Sequence, residues 1–147
     1  MINLYTAGTP NGRKVSILLE ECGFEYTTHL IDIHAGEQHH PEYRSINPNE
    51  KIPAIVDQNG PIGKPIRVFE SGAILRYLAK KSGRFMGNDA VTELECSQWL
   101  SLITTGLAPT FHPYNAADQT QKLPPWSRLA RAVTNKRPGQ MSAPGLW

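Results

Sequence analysis

A short strand-like segment, Ile2–Thr6, runs into Thr9-Pro10-Asn11-Gly12 and then into a helix that stops at Gly23. Val15, Ile17, Leu18, Leu19 and Cys22 give that helix an apolar face. Thr9 and Pro10 suit the N-cap and the first helical position, and Gly23 suits the position just past the end. Tyr26 to Ile33 reads as a second strand, with Leu30, Ile31 and Ile33 apolar. Parallel strands need a crossover between them, usually a helix, so this strand–helix–strand order predicts a parallel pair and an α/β class of fold.

The pattern then changes. His34 to Glu50 is polar and irregular, with one short helix expected near Pro41–Ile46. Lys51-Ile52-Pro53-Ala54-Ile55-Val56-Asp57 enters a third strand, where Pro53 belongs at the start or edge because it has no amide to donate. A turn-rich stretch, Gln58–Pro65, leads to a returning strand at Ile66–Phe69. Ser71 is expected to cap a last helix, with Ile74, Leu75 and Leu78 on one face, Lys80 and Lys81 in the final turn, and Gly83 behind it. The order is βαβ followed by ββα over residues 1–84. Val91, Leu94, Cys96, Trp99, Leu100 and Ile103 approximate the stripe of one more helix within residues 88–118. Residues 119–147 carry Pro124, Pro125, Pro138 and Pro144 and no sustained apolar period, so a poorly packed tail is expected there.

A tight Pro-containing turn between a strand and a helix N-terminus suits sulfur chemistry, because the helix end favours a thiolate. This turn has no cysteine. Thr9 and Asn11 each offer a short polar group instead, and a donor aimed at sulfur stabilises thiolate over thiol. A thiol reacting here must arrive with a ligand. The plainer alternative is that Thr9 only caps and Asn11 only occupies the first turn.

A formal charge of +2 in 147 residues gives no ground for a nucleic-acid partner. No apolar run reaches spanning length and no leader pattern opens the chain, so no membrane association and a cytoplasmic location are expected. Cys22 and Cys96 fit no redox or metal spacing and are expected in the core. His29, His34, His39, His40 and His112 match no ligand pattern, so no metal is expected and all five are assigned to surface or loops. Tyr5 and Trp99 are read as core or interface residues.

TAGTPNGRKVSILLEE, GEQHHPEYRSINPNEKIPAIVD and VFESGAILRYLA, in this order, resemble the N-terminal, thioredoxin-like domain of a glutathione transferase, most nearly of the bacterial nu class. The likeness is close over residues 1–84, looser to about residue 124, and absent beyond. It implies glutathione as bound cosubstrate. The matching Thr9 and Asn11 would face its sulfur. Ile52-Pro53 resembles the family's cis-proline step, where Ile52 would pair with the cysteinyl unit through the main chain, as an added strand does.

Glu70 would hold the ammonium and Ser71 the carboxylate of the γ-glutamyl end. Gln38 would reach the glycyl end, with Lys51 adding charge. A nu-class arginine reaches glutathione across a homodimer. Leu123-Pro124-Pro125-Trp126-Ser127-Arg128 departs from that motif and leaves Arg128 as the nearest equivalent.

Two enzymatic chemistries follow from the resemblance: disulfide reduction by thiol–disulfide exchange, which is favoured, and conjugation to a small electrophile. The rival class is a non-catalytic glutathione-binding or regulatory module, or an inactive fragment.

Overall fold

The computed structural model describes residues 1–107; the expected tail at 119–147 and Arg128 lie outside the described residues. Among the described residues four strands form one mixed sheet: β1 (Ile2–Thr6), β2 (Tyr26–Leu30), β3 (Ala54–Asp57) and β4 (Ile66–Phe69), in the order β2-β1-β3-β4. β1 and β2 are parallel, while β1/β3 and β3/β4 are antiparallel. The helices among the described residues are α1 (Pro10–Cys22), α2 (Pro41–Arg44), α3 (Ser71–Ser82) and α4 (Ala90–Ser101), with a 3-10 turn at Glu37–His39. The order is βαβ then ββα, as expected, and the arrangement is the thioredoxin-like one that the resemblance implies.

The core follows from the two periodicities. Ile2 and Leu4 alternate along β1, and they meet Val15 and Leu19 of α1, Ile55 of β3, and Ile74 and Leu78 of α3. α1 and α3 pack against each other over this cluster. Tyr5 points to the opposite face. There its ring stacks on His29 at 4.6 Å between centroids and meets Tyr43 of α2 edge-on at 6.3 Å.

Several local expectations shift. β2 ends at Leu30 and not at Ile33, because Asp32 turns the chain. Its Oδ1 accepts from the backbone N–H of His34 at 2.9 Å and of Ala35 at 3.0 Å. β3 runs from Ala54 to Asp57, directly behind Pro53 as expected. The carbonyl of Lys51 is occupied by Tyr43 Oη at 2.6 Å and Asn47 Nδ2 at 2.5 Å, so it is not available to a neighbouring strand. Ser71 is the first residue of α3 and not its cap; Glu70 holds the cap position and makes no capping bond with its side chain. Gly23 ends α1 with φ 69°, the left-handed conformation that glycine adopts without steric cost.

Cys22 and Cys96 are free and half-buried, and neither belongs to the core cluster. Cys22 is the last residue of α1, where the helix is already leaving the packed face. α4 has no buried residue and Trp99 is exposed among the described residues, so of its two expected roles, core or interface, the core one does not hold. Asp89 caps α4, its Oδ1 accepting from Val91 N at 2.8 Å and Thr92 N at 3.0 Å.

The chain divides into two compact units, Met1–Ser97 and Gln98–Trp147. The described part of the second continues α4 into a π-helical stretch, Leu102–Leu107, where Thr105 Oγ1 donates to the Ser101 carbonyl at 2.8 Å.

Candidate functional site

Register places the candidate residues. In the sheet Tyr5 pairs with both His29 and Ala54, and Ala54 pairs with Phe69. The C-terminal ends of β1, β2 and β4 and the N-terminal end of β3 therefore lie together. The Thr9–Asn11 turn leaves β1 at that end, and the loop with Gln38 leaves β2. Ile52-Pro53 enters β3 there, and Glu70-Ser71 leaves β4. Four segments separate in sequence are thus brought to one end of one sheet.

At the first segment Thr9 is extended, with φ −101° and ψ 161°, and its Oγ1 accepts from Gly12 N at 3.2 Å. A hydroxyl that accepts still has its own proton to donate. Asn11 Oδ1 accepts from Lys14 Nζ at 2.9 Å, which leaves the amide's N–H₂ end to serve as a donor. The first turn of α1 carries no acidic residue. Two donors at a helix N-terminus, without a carboxylate among them, suit an anion such as a thiolate. Gly12 permits the close fit: a Cβ there would collide with Thr6 Oγ1 and sit 2.5 Å from the Ala7 carbonyl oxygen.

The second segment is held from behind. Tyr43 is buried, and burial pushes its phenol up to about 12, so it stays protonated and donates to Lys51 O. Asn47, 1% exposed, donates to the same oxygen and accepts from Asn49 N at 2.9 Å. The Ile52-Pro53 bond that follows is cis, as the resemblance implies. Lys51 itself is exposed.

Asn49 Nδ2 donates to Glu70 Oε1 at 3.0 Å, tying this loop to the start of α3. Glu70 is exposed and keeps its other oxygen for a cation. It sits at φ 68°, ψ 119°, a region that side chains rarely adopt and that clusters at ligand clamps. Ser71 beside it is buried.

Gln38 shows the clearest unmet demand. Its Nε2 donates to the Ile33 carbonyl at 3.4 Å and lies 3.1 Å from His39 Nε2. Its Oε1 is shielded from water without a partner among the described residues, which is unusual for a buried acceptor. His39 Nδ1 in turn meets Glu50 Oε2 at 2.5 Å, and Arg44 Nε meets Glu50 Oε1 at 2.9 Å. The His39 hydrogen bond, with Arg44 helping, holds the Glu50 carboxyl below its usual range.

Tyr43, Asn47, Asn49 and Lys14 are the supporting residues that sequence reasoning missed. Only Lys14 left a signal, as a cation near the start of a helix that has no acid in its first turn. A shallow groove lined by Pro41, Arg44, Ser45 and Pro48 includes none of the candidate residues. Among the described residues no group of three or more His, Cys, Asp or Glu side chains could hold a metal.

Residues 1–80 match the family of the glutathione S-transferase N-terminal domain. The chain belongs to the glutathione S-transferase family. Among its relatives is the disulfide-bond oxidoreductase YfcG of Escherichia coli, 45% identical over 125 residues, covering 82% of this chain and 58% of that protein. A glutathione transferase of Burkholderia graminis, solved with two glutathione molecules per subunit, is 42% identical. It superposes with a TM-score of 0.78, over 90% of this chain and 60% of that one. One from Pseudomonas putida, solved with one glutathione disulfide per subunit, is 40% identical with a TM-score of 0.78, over 90% of this chain and 63% of its own. The chain thus spans about three fifths of the length of these relatives.

Proposed function

We propose that this end of the sheet binds glutathione and uses its thiolate to reduce disulfides. The observation that carries the reading is the turn itself: Thr9 and Asn11 hold two donors ready at a helix N-terminus, with no cysteine there. The γ-glutamyl end goes to Glu70 and Ser71, and the cysteinyl unit pairs with the main chain of Ile52 beside Pro53. The glycyl end goes to Gln38, whose unpartnered Oε1 awaits an N–H, and to Lys51. Arg128 is assigned to glutathione across a homodimer.

The exchange balances as follows. Bound glutathione thiolate attacks one sulfur of a substrate disulfide; a mixed disulfide forms and one substrate thiolate leaves. A second glutathione thiolate attacks the glutathione sulfur of that mixed disulfide, expelling the other substrate thiolate and forming glutathione disulfide. Two glutathiones are oxidised, one disulfide is reduced, and the departing thiolates take up protons from water. The cytoplasm, whose glutathione pool is kept reduced, would drive this forward. A pair of glutathiones and a glutathione disulfide, as held by the Burkholderia and Pseudomonas relatives, are the species such a cycle requires. The name of the Escherichia coli relative supports the same chemistry. Conjugation to a small electrophile would use the same thiolate and is the lesser activity.

The test is titration with glutathione and glutathione disulfide, followed by a disulfide-reductase assay of the parent, Thr9→Ala and Asn11→Ala. Turnover that falls at least tenfold in both variants, with glutathione still bound, is expected. Binding without turnover in the parent would favour a regulatory module. Absence of binding would overturn the reading altogether.

A further inference from the structure

We infer that Lys14 is a positioning residue for the sulfur site, orienting and polarising the Asn11 amide through the bond from its Nζ to Asn11 Oδ1. The inference rests on the reading that Asn11 faces the glutathione sulfur. An asparagine amide has an accepting end and a donating end of nearly the same shape, and by itself it can present either. An ammonium has only donors. The end of Asn11 that lies 2.9 Å from Lys14 Nζ must therefore be the oxygen, and the N–H₂ end must face away from Lys14. A neutral neighbour would leave that choice open.

The charge also adds strength. A cation on the amide oxygen draws electron density toward it and makes the N–H₂ group a better donor, as in any chain of polarised hydrogen bonds. A donor strengthened in this way favours thiolate over thiol on whatever sulfur it meets.

The placement of Lys14 runs against the needs of the helix alone. Anions stabilise a helix N-terminus and cations oppose it, yet α1 has no acid in its first turn and carries Arg13 and Lys14 directly after Gly12, where that turn ends. Arg13 is exposed, whereas Lys14 is half-buried and bonded three residues back. A residue that breaks a local rule while making one specific bond to a candidate site residue is accounted for by the site.

The test is a pH titration of glutathione bound to the full chain, following thiolate absorbance in the ultraviolet, for the parent, Lys14→Met, Lys14→Arg and Asn11→Ala. Lys14→Met is expected to hold about tenfold less thiolate at pH 7 with glutathione affinity within about twofold of the parent. Lys14→Arg restores the parent curve, since a guanidinium is also donor-only. If Lys14→Met does not fold, Lys14→Gln, which keeps a neutral donor, should show the same loss. A parent-like curve for Lys14→Met beside a shifted curve for Asn11→Ala would overturn the role of Lys14 and leave the sulfur site standing. Parent-like curves for both would overturn the two together. An affinity loss as large as the thiolate loss would make Lys14 a direct ligand and refute positioning.

Discussion

Lys81, in the last turn of α3, places its Nζ 2.8 Å from Oδ2 of Asp57 at the end of β3. The same carboxylate oxygen accepts from Tyr77 Oη at 2.6 Å, and Oδ1 accepts from Asn59 N at 2.9 Å. Asp57 is fully buried, so α3 is fastened to the hairpin by a charge that water does not reach. Burial alone pushes the carboxyl up, but Lys81, Tyr77 and the Asn59 amide outweigh it and hold Asp57 below its usual range.

A carboxyl depressed in the folded state contributes stability above its unfolded pKa of about 4, and that contribution is lost as pH falls through the lower folded value. Asp57→Asn should therefore cost about 1–3 kcal/mol at pH 7, since Lys81 Nζ, Tyr77 Oη and Asn59 N lose a charged acceptor and Lys81 keeps only the Asn59 carbonyl at 2.6 Å. It should also flatten the decline in stability below pH ~4. Urea unfolding across a pH series reads both. Equal acid limbs in parent and variant would show that Asp57 is not the linked group.

Gly12→Ala should destabilise the fold by about 1–3 kcal/mol, the usual range for overpacking. The new methyl meets Thr6 Oγ1 and the backbone oxygen of Ala7, and a backbone atom cannot swing aside. Unfolding midpoints decide the point; an unchanged midpoint would mean that α1 and β1 are less tightly apposed than described.

Asn47→Ala should lower stability by about 1–3 kcal/mol, because it leaves buried groups short of a partner. Tyr43→Phe should cost less, since Asn47 still serves the Lys51 carbonyl. Both should weaken glutathione binding by calorimetry, as the shared oxygen precedes Ile52. Full affinity in a folded Asn47→Ala protein would detach this support from the site.

Glu70→Ala should weaken glutathione by ~1.5–3 kcal/mol, the size of a charge-assisted hydrogen bond. Glu70→Gly should bind as poorly yet be no less stable than the parent, because glycine relieves the φ of 68°. A Glu70→Gly protein that is clearly destabilised would argue that the conformation is unstrained.

Cys22→Ala combined with Cys96→Ala should retain any disulfide-reductase activity, since both cysteines lie away from the Thr9–Asn11 turn in sequence and neither is paired. A folded but inactive double variant would require a cysteine in the mechanism.

The βαβ-ββα order, the Thr9 cap, Pro10 at the first helical position and the stops at Gly23 and Gly83 were legible in the chain alone. Each rests on local physics: the two-residue period of strands, the fixed φ of proline and the left-handed freedom of glycine. The candidate motifs were legible too, because their residue types carry the chemistry. The supports were not. Asn49 on Glu70 and Lys81 on Asp57 join residues 21 and 24 positions apart through the folded register, and Tyr43 and Asn47 meet on the Lys51 carbonyl only once the loop between β2 and β3 closes.

The stripe expected for α4 shows the same limit from the other side: the helix has no buried face among the described residues, and Val91, Leu94 and Trp99 are all exposed. Periodicity says that a helix has an apolar face, but not what covers it, and Trp99 is exposed among the described residues. Local dihedral preference acts within a few residues and can be read along a chain. The partner of a buried polar atom depends on which strands pair, and that pairing exists only once the sheet is closed.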